Sequence, residues 1–225
     1  MQKLRQAKWL FFDVGDTLID ESAAVVDWCG QVSRRLGDRG IERSAEQIRE
    51  ARERAYTEMA GNIYLRIFEN LSLPAELAEA LRGETRPRLV LERPFPGAGD
   101  VLRELSRRYR IGIIANQPAG TQDRLRLHGW GDFIAECISS AEEGLLKPDP
   151  RIFHLALSRT QCSARDAVMI GDRIDNDIRP AKALGMRTVR LRQGASRFQQ
   201  PRDAADEADV TIDDIRNLLT VLRAE

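Results

Sequence analysis

The chain has 225 residues, 42% hydrophobic and 31% charged, with 35 basic against 35 acidic residues and a formal net charge of zero. That length and balance suit one sizeable domain, or a core domain with a smaller companion, and exclude a disordered or membrane-embedded chain. With no excess of positive charge, the composition gives no ground for generic nucleic-acid binding.

The N-terminal stretch from Met1 to Lys8 is polar and basic, and the apolar run after it, Trp9-Leu10-Phe11-Phe12, is too short for a signal peptide or a membrane span. The three cysteines, Cys29, Cys137 and Cys162, are scattered and form no CxxC pair, which fits a reducing compartment rather than a disulfide framework or zinc site. A soluble, cytoplasmic protein is expected.

Trp9 to Phe12 stops at Asp13, and an uninterrupted apolar run of this length predicts a strand buried on both faces, as in a parallel sheet. Residues 21–93 then show helical patterning without a convincing strand. Ser44-Ala45-Glu46-Gln47 reads as a capping box that opens a helix reaching about Met59, and Pro74 suits the first turn of another. The excursion ends at the turn-rich Pro94-Phe95-Pro96-Gly97. Strands are predicted at Ile111–Ala115, Ala167–Ile170, Thr188–Leu191 and Val210–Ile212, with a weaker one between Phe133 and Ser139. Helices are predicted at Ala98–Arg108, Pro150–Arg159 and Asp213–Leu222, and a surface loop from Gln199 to Asp206. This alternation implies βαβ units and an α/β fold, a doubly wound parallel sheet. Residues 1–20 and 94–225 are assigned to the α/β core and residues 21–93 to a small helical domain.

In open sheets of this kind, ligands bind beyond the carboxyl ends of the strands. Asp13, Asn116 and Asp172 each follow a predicted strand. Singly, each also suits a helix cap or turn. Together with Lys147, one of only four lysines in an arginine-rich chain, they point to one acidic site. His128 and His154 fall on or beside helices, and read as surface or packing residues.

These motifs carry a resemblance to a known family. Phe11-Phe12-Asp13-Val14-Gly15-Asp16-Thr17-Leu18 resembles the first motif of the haloacid dehalogenase-like superfamily. Gly144-Leu145-Leu146-Lys147-Pro148-Asp149-Pro150 resembles the third, and Ile170-Gly171-Asp172-Arg173-Ile174-Asp175-Asn176-Asp177 the fourth. The helical stretch resembles the family's cap between its first and second motifs. The resemblance implies that Asp13 is a nucleophile and metal ligand that forms an aspartyl-phosphate. It implies that the Gly15 carbonyl, Asp172 and Asp177 complete a Mg²⁺ site, and that Lys147 neutralises nucleophile and phosphoryl oxygens. A small phosphomonoester substrate, hydrolysed by a monomer or homodimer, is the expectation.

Two positions depart from that pattern. Gly15 stands where the family's phosphatases carry the second Asp that protonates the leaving group, and the acid comes one residue later, at Asp16. Asp16 either takes over as catalytic acid/base or only caps the turn. Ala115 stands where a Ser or Thr would bind a phosphate oxygen, and Asn116 is the neighbouring candidate for substrate binding. A slow phosphatase suited to good leaving groups is therefore expected. The alternatives are a degenerate member that binds or regulates without catalysis, and a 2-haloacid dehalogenase, which would call for an aromatic residue at position 15.

Overall fold

Trp9, Leu10, Phe11 and Phe12 are all buried because the strand they form is covered on both sides. Successive side chains alternate in direction along a strand. Leu10 and Phe12 pack with Val101, Leu102, Ile113 and Leu218 on one face. Trp9 and Phe11 pack with Ile152, Phe153, Met169 and Met186 on the other. Two apolar layers on one sheet are the mark of an α/β core whose helices lie on both faces.

The computed structural model describes residues 2–223. Its strands are β1 (Trp9–Phe12), β2 (Ile19–Asp20), β3 (Arg93–Pro94), β4 (Arg110–Ala115), β5 (Ile134–Ser139), β6 (Ala167–Gly171), β7 (Arg187–Leu191) and β8 (Val210–Ile212). Among the described residues, six of them form one sheet in the order β5-β4-β1-β6-β7-β8, and every pairing in it is parallel. β1 lies at the centre, with β4 on one side and β6 on the other. The carboxyl ends of these three strands therefore converge where the chain order switches, the position at which such sheets bind ligands. β2 and β3 pair separately as a two-residue ladder. No helix among the described residues is long and apolar enough to cross a membrane.

The chain divides into two compact units. The first comprises residues 1–19, 94–193 and 201–225 and contains the sheet. The second comprises residues 20–93 and 194–200 and is helical. In the helical unit, the helix Ala45–Thr57 is opened by Ser44, whose hydroxyl accepts from the Gln47 amide while the Gln47 side chain accepts from the Ser44 amide. That is the reciprocal box read in the sequence. The unit has its own core, with Trp28, Val32, Leu36, Ile48, Phe68 and Leu81 buried together.

Three details differ from the sequence reading. Residues 194–200, assigned above to the core, cluster with the helical unit, where Gln199 is 1% exposed and its Nε2 donates to the Tyr56 carbonyl at 2.8 Å. The Gln199–Asp206 stretch is also not simply a surface loop. Asp206 is fully buried, because its carboxylate accepts from the Arg202 amide and guanidinium and from Arg179. The helix expected over Asp213–Leu222 is split into a 3-10 turn at Ile215–Asn217 and a short α-helix at Leu218–Val221.

Candidate active site

Asp13 is the first residue past β1, and its amide still donates to the Ile170 carbonyl of β6 at 2.9 Å, so the central ladder fixes its backbone. The chain then turns tightly: the amides of Thr17, Leu18 and Ile19 all point to the Val14 carbonyl, and the Asp16 amide donates to Ile19. The Thr17 hydroxyl lies 3.5 Å from Asp13 Oδ2. Asp16 is buried and has φ of +52°, a left-handed conformation that strains a non-glycine residue.

Lys147 reaches this centre from the irregular segment between the helices Ser140–Glu143 and Pro150–Arg159. Its side chain is 2% exposed, and the ammonium donates to Asp13 Oδ1 at 2.7 Å and to Asp177 Oδ1 at 2.5 Å. Asp177 sits in a single π turn, Ile174–Ile178, which begins just beyond β6. Its second oxygen accepts from the Arg173 amide at 3.0 Å, which fixes the carboxylate's orientation. The turn can close this tightly because residue 171 is glycine: a Cβ there would fall on the Asp177 carboxyl group.

Asp172, 3% exposed, follows directly on β6, and one oxygen from each of Asp13, Asp172 and Asp177 lies within 4.8 Å of the others. Asp16 is not among the acids gathered in this group. A second buried cation, Arg190 on β7, donates from Nε to the Asp172 carbonyl at 3.3 Å. Nothing in the sequence singled out Arg190. Its sheet register opposite Gly171 is the only signal, and it exists only once β6 and β7 are paired.

Burial is the largest influence on the two central groups. It pushes the Asp177 carboxyl up to about 6, with the Asp13 charge adding and the Lys147 charge opposing. Burial also works against the Lys147 ammonium, but Asp13 and Asp177 outweigh it and hold its pKa above the ordinary value. At neutral pH the lysine is a fixed cation between two carboxylates. The three cysteines are no rivals as nucleophiles, since burial pushes their thiols up to about 11 for Cys29, 12 for Cys137 and 11 for Cys162.

The remaining sequence-selected residues are placed differently from the central four. Ala115 is fully buried at the end of β4 and offers only a methyl group. Asn116 is engaged with Lys147: its Oδ1 accepts from the Lys147 amide at 2.7 Å, and its Nδ2 donates to the Lys147 carbonyl at 2.8 Å. Gly15 has no side chain to offer and forms an isolated bridge with Ile19. The His128 ring lies tilted against Trp130 with ring centroids 5.2 Å apart, and His154 is exposed on its helix.

A parallel sheet whose central strand ends gather three carboxylates around one buried lysine is an α/β fold with a candidate hydrolase site. The chain belongs to the haloacid dehalogenase-like hydrolase family, whose description matches residues 7–185. It is 30% identical over 226 residues to glyceraldehyde 3-phosphate phosphatase from Methanopyrus kandleri, covering 96% of this chain and 97% of that one. It is 26% identical to phosphoglycolate phosphatase from Vibrio cholerae, covering 97% and 98%. The fold matches a haloacid dehalogenase-like hydrolase from Streptococcus pneumoniae with a TM-score of 0.73, at 20% identity and over 99% and 100% of the two chains.

Proposed function

We propose that this protein is a Mg²⁺-dependent phosphatase acting on a small phosphorylated metabolite, with Asp13 as nucleophile. The observation that carries this reading is the Lys147 ammonium held between Asp13 and Asp177 beside Asp172. The relatives named for glyceraldehyde 3-phosphate and phosphoglycolate support a substrate of two or three carbons.

The donor set suits magnesium. It consists of carboxylate oxygens, the ligands a small hard cation takes, and their charge exceeds that of the single ammonium between them. Asp13, Asp172 and Asp177, with the Gly15 carbonyl, would hold the ion, which when bound screens the phosphoryl charge from the carboxylates.

The chain's own residues do the rest. Asp13 Oδ attacks phosphorus, and the bond from phosphorus to the leaving oxygen breaks. Water then hydrolyses the aspartyl-phosphate, which releases phosphate and restores the carboxylate. The Lys147 ammonium orients the attacking carboxylate and offsets charge on the phosphoryl oxygens. Thr17 steadies the second Asp13 oxygen. Asp16 is the one acid on the nucleophile's own loop, and it is the candidate proton donor and acceptor. The helical unit corresponds to the cap of the family resemblance. A second reading, a binding protein that keeps the centre without turnover, is favoured by Gly15 and by the buried methyl of Ala115.

Turnover of p-nitrophenyl phosphate and acetyl phosphate, with and without Mg²⁺, separates these readings. Metal-dependent release of phosphate that is lost in Asp13→Asn supports the phosphatase. No turnover above that of Asp13→Asn on any small phosphate, with Mg²⁺ still raising the melting temperature, supports the binding protein.

A further inference from the structure

Lys147 carries the central cation, yet no strand or helix holds its backbone. It lies in residues 144–149, a segment that begins with Gly144 in a left-handed conformation and has Leu146 61% exposed. Four rotatable side-chain bonds separate the ammonium from this backbone. Its place between Asp13 and Asp177 therefore depends on where the Lys147 main chain is pinned.

The structure assigns that task to Asn116: we propose that Asn116 is a positioning residue for Lys147, and not a substrate contact. This inference concerns the same centre as the phosphatase reading and rests on it only for the kinetic part of the test. The Asn116 carboxamide meets both polar groups of one residue, accepting from the Lys147 N–H at 2.7 Å and donating to its C=O at 2.8 Å. A carboxamide is the one side-chain group with a donor and an acceptor spaced like those of a peptide, so Asn116 pairs with Lys147 as a neighbouring strand residue would.

Asn116 is itself well anchored. It follows directly on β4, whose last residue, Ala115, is paired with Ser139. The next carbonyl, Gln117 O, accepts from the Ser139 and Ser140 hydroxyls at 3.0 and 3.2 Å. The Gln117 side chain accepts from Arg124 at 2.7 Å. Rigidity thus passes from the sheet, through one side chain, to the loop that bears the cation. An Asp at 116 would keep the acceptor but set a carboxylate against the Lys147 carbonyl. An Ala would lose both bonds.

The test compares wild type with Asn116→Ala and Asn116→Asp by hydrogen exchange and steady-state kinetics on acetyl phosphate. The expected result is faster amide exchange confined to residues 144–149 in both variants. With it, kcat falls about 10- to 100-fold, the scale on which a misplaced catalytic group acts, while KM stays within about twofold, as expected when only transition-state placement is lost. Unchanged exchange across 144–149 would overturn the clamp. So would an unchanged kcat with a KM raised fivefold or more, which would make Asn116 a substrate contact. If wild type turns over no phosphate, the phosphatase reading fails, and the exchange comparison alone still decides the clamp.

Discussion

The centre holds the proposed nucleophile, Asp13, in contact with the Lys147 ammonium. What it lacks is an ionisable side chain at Gly15. An alkoxide leaving group needs a proton, whereas a carboxylate or nitrophenolate leaves without one. If Asp16 does not reach the leaving oxygen, wild-type kcat/KM will fall steeply as leaving-group pKa rises, from acetyl phosphate through p-nitrophenyl phosphate to an alkyl phosphate. Gly15→Asp should raise turnover of the alkyl ester, towards the factor of about 10²–10⁴ that a general acid supplies, and leave acetyl phosphate little changed. If Asp16 already serves as the acid, Asp16→Asn will lower alkyl-ester turnover by a similar factor and the leaving-group dependence of wild type will be shallow. The acids and the lysine of the centre were legible because each sits in a local motif: a strand end, a Lys-Pro step, a Gly-Asp turn. The Asn116–Lys147 pairing and Arg190 were not, because they depend on distances that only the folded sheet sets.

At the level of elements, the π turn after β6 places Asp177, and Gly171 makes room for it. Gly171→Ala should displace the Asp177 carboxylate while leaving β6 paired. Its expected signature is a weakened Mg²⁺-induced rise in melting temperature, on top of a loss of about 1–3 kcal/mol in the metal-free protein from overpacking. An unchanged metal response would show that the close approach of residues 171 and 177 does not matter to the site. The strands themselves were readable as short apolar runs, and Ser44 and Gln47 announced their helix by chemistry alone. The burial of Gln199 and Asp206 was hidden, since polar residues beside a proline look the same whether they face water or partners from distant segments.

For the whole molecule, stability should report on both units. Phe68 is fully buried in the helical unit's core and its ring lies 5.1 Å from that of Tyr64. Phe68→Ala should cost about 3–5 kcal/mol in denaturant unfolding of that unit, and a loss under about 1 kcal/mol would contradict the packing described. The raised Asp177 pKa has its own consequence. A carboxyl that titrates higher in the folded chain than the unfolded one adds stability below its unfolded pKa of 3.8 and loses it as pH rises through about 6. In metal-free protein, Asp177→Asn should therefore gain in melting temperature relative to wild type between about pH 4 and pH 7. A difference that stays flat with pH would refute the shift.

Transfer of the phosphoryl group to Asp13 is read most directly by mass spectrometry of protein quenched in acid during turnover of acetyl phosphate with Mg²⁺. The peptide that contains Asp13 is expected to carry one added phosphoryl group, lost on mild alkaline treatment and absent in Asp13→Asn. Turnover with no such adduct on quenching at any time, together with inversion of configuration at phosphorus and undiminished rate in Asp13→Asn, would contradict this transfer.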